Sequence, residues 1–221
     1  MLAPVIDHPW NLSPTDAIAL QRDLAARVER ADRFTSLTRI AGVDVSVRGD
    51  RARAAVVVLR YPDLEVVEEV LADRPVTFPY VPGLLSFREG PVILDALARL
   101  RETPQVLMFD GQGVAHPRRL GIASHMGVVL DHPTIGCAKS RLTGTYLEPA
   151  PTRGSHTWLR SGDEVIGAVL RTRDRVRPLF VSAGHRVSLE TAIRLVLDCG
   201  AGYRLPEPTR RADRIAAIPP P

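Results

Sequence analysis

Cysteine is scarce: the 221-residue chain has two, Cys137 and Cys199. They are too few and too scattered for a disulfide framework or a cysteine-built zinc site. A reducing, cytoplasmic setting is the expectation. No run of about 18 apolar residues occurs, so nothing is expected to span a membrane. The opening residues, MLAPVIDHPW, lack a basic stretch ahead of an apolar one and do not read as a secretion signal. Repeats and low-complexity tracts are missing too. Lysine is almost missing: among 29 basic residues only Lys139 is a lysine. A chain-wide preference for arginine reflects coding bias and says little, but a lone lysine kept against that bias points to a specific role.

Apolar residues make up 45 % of the chain, enough for a sizeable core, and its length suits one domain over 1–221. The net charge of +4 permits a polyanionic partner without demanding one. Ser13-Pro14-Thr15-Asp16 reads as a helix start, with apolar residues at Leu20, Leu24 and Val28, and residues 1–36 as a helical extension. Strands are expected at Ile40 to Val47, Ala52 to Leu59 and Leu64 to Leu71, punctuated by Gly49-Asp50 and Pro62-Asp63. Connections this short imply an antiparallel meander. Phe78 to Gly83 is a Pro- and Gly-rich loop. A helix over Ser86 to Leu100 has Pro91 tolerable only in its first turn. A buried strand over Gln105 to Phe109 ends at Asp110-Gly111. Ile122 to Leu130 and Ser188 to Leu197 read as helices; Thr134 to Ala138, Val165 to Arg171 and Val176 to Ser182 read as strands. A tail over 206–221 holds a short helix, Thr209 to Ala217, before three prolines expected to fray. The order implies an α/β fold: a mixed sheet, antiparallel meander then parallel strands, with helices on both faces.

Asp44 lies mid-strand, with Val43, Val45 and Val47 on one side and Asp44 and Ser46 on the other. A solvated face and a ligand site are equally good accounts of it. Asp110 ends an apolar strand beside Gly111-Gln112-Gly113, a common setting for a ligand carboxylate. Glu89, near a helix start, is favoured there by the helix dipole and carries no signal alone. Together, carboxylates from separate elements suit Mg²⁺, a hard ion held by oxygen and able to serve a phosphodiester.

The stretches Gly42-Val-Asp-Val-Ser46, Pro79-Tyr-Val-Pro-Gly-Leu-Leu-Ser-Phe-Arg-Glu89 and Asp110-Gly-Gln-Gly113 resemble endonuclease V. So do His116-Pro-Arg-Arg119, Thr134 to Ser140, Gly184 to Ser188 and Tyr203 to Arg210. They occur in the family's order across most of the chain. The resemblance implies an RNase H-like fold. It implies cleavage of DNA at the second phosphodiester 3′ to deoxyinosine, leaving 3′-hydroxyl and 5′-phosphate ends, by a monomer using Mg²⁺, with Mn²⁺ able to substitute. It implies Asp44, Asp110 and Glu89 as metal ligands and Lys139 at the phosphate. Asp213 stands where some members carry His, and is placed at the edge of the active site. Tyr80, stiffened by Pro79 and Pro82, would enter the base stack. Gly83, Leu85, Gly111 and Gly113 would border a pocket reading the hypoxanthine edge, since glycine lets main chain approach closely.

His116 would orient the glycine loop or touch phosphate; Arg118, Arg119 and Arg210 are candidate phosphate contacts. His125 is expected to be a satisfied core histidine, and His185 either structural or groove-lining. The spacing of His116, His125, His132 and Cys137 fits no zinc pattern. Inosine-containing RNA is an alternative substrate. A non-catalytic nucleic-acid binder has no use for an acidic cluster, and a small-nucleotide phosphohydrolase has none for a wedge.

Overall fold

The computed structural model describes residues 2–218; the three terminal prolines lie outside the described residues. Helix α1 (Pro14–Ala25) precedes strands β1 (Arg39–Arg48), β2 (Arg51–Arg60) and β3 (Val66–Pro75). Helix α2 (Leu85–Leu97), β4 (Val106–Phe109), α3 (Ile122–Leu130) and β5 (Thr134–Ala138) follow. Then come β6 (His156–Ser161), β7 (Glu164–Leu170), β8 (Leu179–His185), α4 (Leu189–Asp198) and α5 (Glu207–Ala216). The eight strands form one mixed sheet in the order β3-β2-β1-β4-β5-β8-β7-β6.

The opening meander forms as its short turns predict, with β1 and β3 both antiparallel to β2. β4 lies parallel to β1, and β5 parallel to β4. The parallel portion ends there: β8, β7 and β6 continue antiparallel. Helices cover both faces. Ala41, Val43 and Phe109 pack with Val92, Ile93 and Met126 of α2 and α3. Ile40, Val57 and Met108 pack with Ala192, Val196, Ala212 and Ala216 of α4 and α5. β2 is buried from Ala52 to Leu59 because both its faces are covered, so it reads as a continuous apolar run.

Several local expectations shift, among them β3, which runs Val66–Pro75, and α2, which ends at Leu97. The edge strand β6 went unrecognised because only Leu159 of its six residues is buried, leaving no apolar alternation to read. β8 starts three residues later than expected, after Pro178, and runs through Gly184-His185. Pro91 sits inside α2, not in its first turn. It deprives the Phe87 carbonyl of a helical partner, a loss offset by the buried flank of α2 around it. No helix among the described residues is long and apolar enough to cross a membrane.

Candidate active site

The parallel pairing of β1 with β4 builds the centre of the site. Val43 pairs with Phe109, the last residue of β4, and the Asp110 amide donates to the Val43 carbonyl at 3.0 Å. Asp44 and Asp110 therefore emerge side by side where the two strands part. Asp44 shares the face of β1 that α5 covers. Gly42 lies under the start of α5, where a Cβ would come within 1.9 Å of the Pro208 carbonyl oxygen. Only glycine admits that approach, and it brings Asp213, one turn further on, over the two strand aspartates. Oxygens of Asp44, Asp110 and Asp213 all lie within 4.8 Å of one another, the one such acidic group among the described residues.

Lys139, just past β5, places Nζ 2.5 Å from Asp110 Oδ2 and 2.6 Å from Asp213 Oδ1. The backbone of Lys139 is itself held, since Arg204 Nη2 donates to its carbonyl at 2.6 Å. Partial burial opposes the lysine charge, but the close contacts of Nζ with Asp110 and Asp213 outweigh it and raise its pKa. One ammonium does not compensate the acids. Burial, then the Asp110 charge, lifts Asp44 to about 7. Burial also raises Asp110, against the pull of Lys139. Glu89 is pushed up to about 8 by burial and then by Asp44. It feels the cluster's charge but stands outside the 4.8 Å group. An all-oxygen set with excess negative charge, half sheltered from water, fits a small divalent cation. Asp110 Oδ2 bears this out: it is buried, with its close ion pair but no well-aligned hydrogen bond.

A cavity of about 370 Å³ opens beside the cluster and reaches from Asp110 and Lys139 to Tyr80, Gly83 and Leu85. Tyr80 stands 69 % exposed at its rim. Gly83 (φ +80°) turns the loop below it. The Gly83 carbonyl accepts from His116 Nε2 (3.0 Å), Arg118 Nη2 (2.8 Å) and Gln21 Nε2 (3.0 Å). Helix α2 then begins at Leu85 with no side-chain cap, leaving its first amides without a side-chain acceptor.

The endonuclease V sequence profile matches residues 22–214. Endonuclease V of Roseiflexus castenholzii is 54 % identical over 217 residues, covering 98 % of this chain and 97 % of its own. This chain belongs to the endonuclease V family. The crystal structure of Streptomyces avermitilis endonuclease V superposes with a TM-score of 0.90 at 45 % identity, over 96 % of this chain and 94 % of its own. Ciona intestinalis endonuclease V, solved with a 24mer DNA containing an inosine followed by a ribo-adenosine, gives 0.80 at 30 % identity, over 91 % and 95 %.

In this endonuclease V, Asp44, Asp110, Asp213 and Lys139 come together, and Tyr80, Pro82, Gly83, Leu85, Gly111 and His116 gather at the adjoining cavity. Pro79 precedes Tyr80 on the same exposed loop. Gly113 is further in, its amide donating to Ser182 Oγ at 2.9 Å. His116 takes the loop-orienting role: Nδ1 accepts from the Arg118 amide at 3.1 Å while Nε2 holds Gly83. The arginines are engaged within the protein: Arg118 with Gln21 and Gly83, Arg119 with Glu164, Arg210 with Glu207. His125 is wholly buried. His185 is buried, accepting from the Glu29 amide at 3.1 Å and lying 3.4 Å from Asp131. Sequence reasoning passed over Ser86, Gln112 and Arg204. All three sat inside quoted motifs, but none gave a signal of its own.

Proposed function

We propose that this endonuclease V acts on DNA containing deoxyinosine and cuts the second phosphodiester on the 3′ side, leaving 3′-hydroxyl and 5′-phosphate ends. The observation that carries the reading is the acidic cluster with its lysine opening into a base-sized cavity with an exposed tyrosine at the rim. The inosine-containing DNA bound by the Ciona relative supports it. Residues 1–221 would work as one catalytic domain and as a monomer.

Asp44, Asp110 and Asp213 would hold Mg²⁺, with Glu89 behind them. Bound there, Mg²⁺ would neutralise phosphate charge, activate water and support the leaving oxygen. Lys139 brings a fixed positive charge to the same place, suited to a phosphate gaining negative charge. Tyr80, held out between Pro79 and Pro82, fills the space left by an extruded base, and the stiff loop lowers the ordering cost. The extruded base enters the cavity past Gly83 and Gly111. There the uncapped amides at the start of α2 suit a carbonyl oxygen such as O6 of hypoxanthine.

The test is a cleavage map on a strand carrying one deoxyinosine, with and without Mg²⁺, beside a matched RNA carrying inosine. A single cut at the second phosphodiester, present only with metal, is expected. Cutting at random positions or at full rate in EDTA would refute the reading. Faster cutting of the RNA would reassign the enzyme to ribonucleic acid.

A further inference from the structure

The cavity wall carries a hydroxyl whose hydrogen-bonding sense follows from its neighbours. Ser86 is 2 % exposed and lines the cavity. Its Oγ lies 2.7 Å from His125 Nδ1. His125 Nε2 lies 2.9 Å from His8 Nε2. His8 Nδ1 lies 3.0 Å from the Pro9 carbonyl oxygen. A carbonyl only accepts, so His8 Nδ1 carries a hydrogen. Burial lowers the pKa of His8 and pushes His125 down to about 3, so both rings are uncharged. His8 Nε2 is then bare and accepts from His125 Nε2–H, which leaves His125 Nδ1 bare. The Ser86 hydrogen must point at that nitrogen. The rest of the Ser86 oxygen is lone pairs.

Gln112 also lines the cavity and carries a second, unpaired acceptor. Its Nε2 donates to the Ser140 carbonyl at 2.8 Å, which fixes the amide orientation. Its Oε1 is buried and without a partner. An unpaired buried acceptor is unfavourable and calls for a donor from outside.

We infer that Ser86 is a specificity-determining residue, presenting with Gln112 an acceptor-only edge that selects a base bearing a ring N–H, and that His125 and His8 are positioning residues that lock this polarity. The inference rests on the cavity being the base pocket. Hypoxanthine carries N1–H; adenine and unsubstituted purine carry a bare N1 whose lone pair would confront those of the wall. A site built around one hydrogen-bonding sense rejects the analogue that lacks it.

The experiment compares strands carrying hypoxanthine or unsubstituted purine at one position, cleaved by the native enzyme, Ser86→Ala and His8→Phe. The phenyl ring of His8→Phe keeps packing against Trp10 but releases the His125 tautomer. The kcat/KM ratio between the strands is expected to fall roughly tenfold in Ser86→Ala and in the same direction in His8→Phe. Equal slowing of both strands in both variants would make Ser86 merely structural and overturn the inference alone. Equal cleavage of the two strands by the native enzyme would remove the base-pocket reading and the inference with it. ¹⁵N NMR of the native protein reads the relay without turnover: His125 should be protonated at Nε2 and His8 at Nδ1. The opposite tautomers would overturn the relay, whether or not Ser86→Ala folds.

Discussion

Asp44 is held where it is unstable as an anion. Its pKa near 7 and that of Glu89 near 8 mean that at these two groups the folded protein binds more protons than the unfolded chain between about pH 4 and 8. The stabilising protons are present at the acidic end and lost as pH rises through the folded pKa values. His8, His116, His125, His132 and His185, held neutral by burial, act in the opposite sense below about pH 7, so the metal-free enzyme should lose thermal stability from about pH 7 to about pH 8.5. The gain in Tm on adding Mg²⁺ should grow over the same interval; a Tm gain that shrinks would contradict the cluster's electrostatics. Asp44→Asn should raise Tm in EDTA by removing a buried like charge, while slowing Mg²⁺-dependent cleavage roughly a hundredfold or more. Tyr80 offers the opposite case. Its ring is largely in solvent, so Tyr80→Ala should leave Tm unchanged and weaken binding of a deoxyinosine strand roughly tenfold by filter binding. Unaltered binding would exclude the wedge.

Helix α5 decides whether the acidic site is complete. It touches β1 through Thr209, Ala212 and Ala216, buried along one stripe, and Glu207 anchors its first turn with ion pairs to Arg210 and Arg211. The contact depends on the bare Cα of Gly42. Gly42→Ala should lift α5 off β1 and carry Asp213 away from its partners. A cleavage loss of roughly a hundredfold is expected, with unfolding free energy lowered by about 1–3 kcal/mol in urea. Faster amide exchange confined to 207–216 would locate the defect. Asp44 was ambiguous in sequence because its two possible environments, solvent or the underside of α5, depend on a segment more than 160 positions away. The interior Pro91 was misplaced for a related reason: its cost is local, but what offsets it is the packing of α2.

Across the whole molecule, the N-terminal segment is part of the cavity's support. Trp10 packs tilted against His8 and stacks on His125, with ring centroids 4.2 and 5.2 Å away, and fills the space over Gly90. Trp10→Ala should cost about 2–4 kcal/mol in urea unfolding; a change below about 0.5 kcal/mol would show that the segment merely lies on the surface. By itself the sequence determined the meander, the buried strand β4, the capped helices α1 and α4, and the family. Each is set by local periodicity, turn chemistry or ordered motifs. It also supplied every acid of the cluster. Which acids meet was decided only by tertiary structure. Asp213 joins Asp44 and Asp110 while Glu89 stands further out, because strand register and a glycine-sized gap under α5 fix those distances. The Ser86–His125–His8 relay likewise joins three distant segments, and its polarity follows from burial, which no local pattern records.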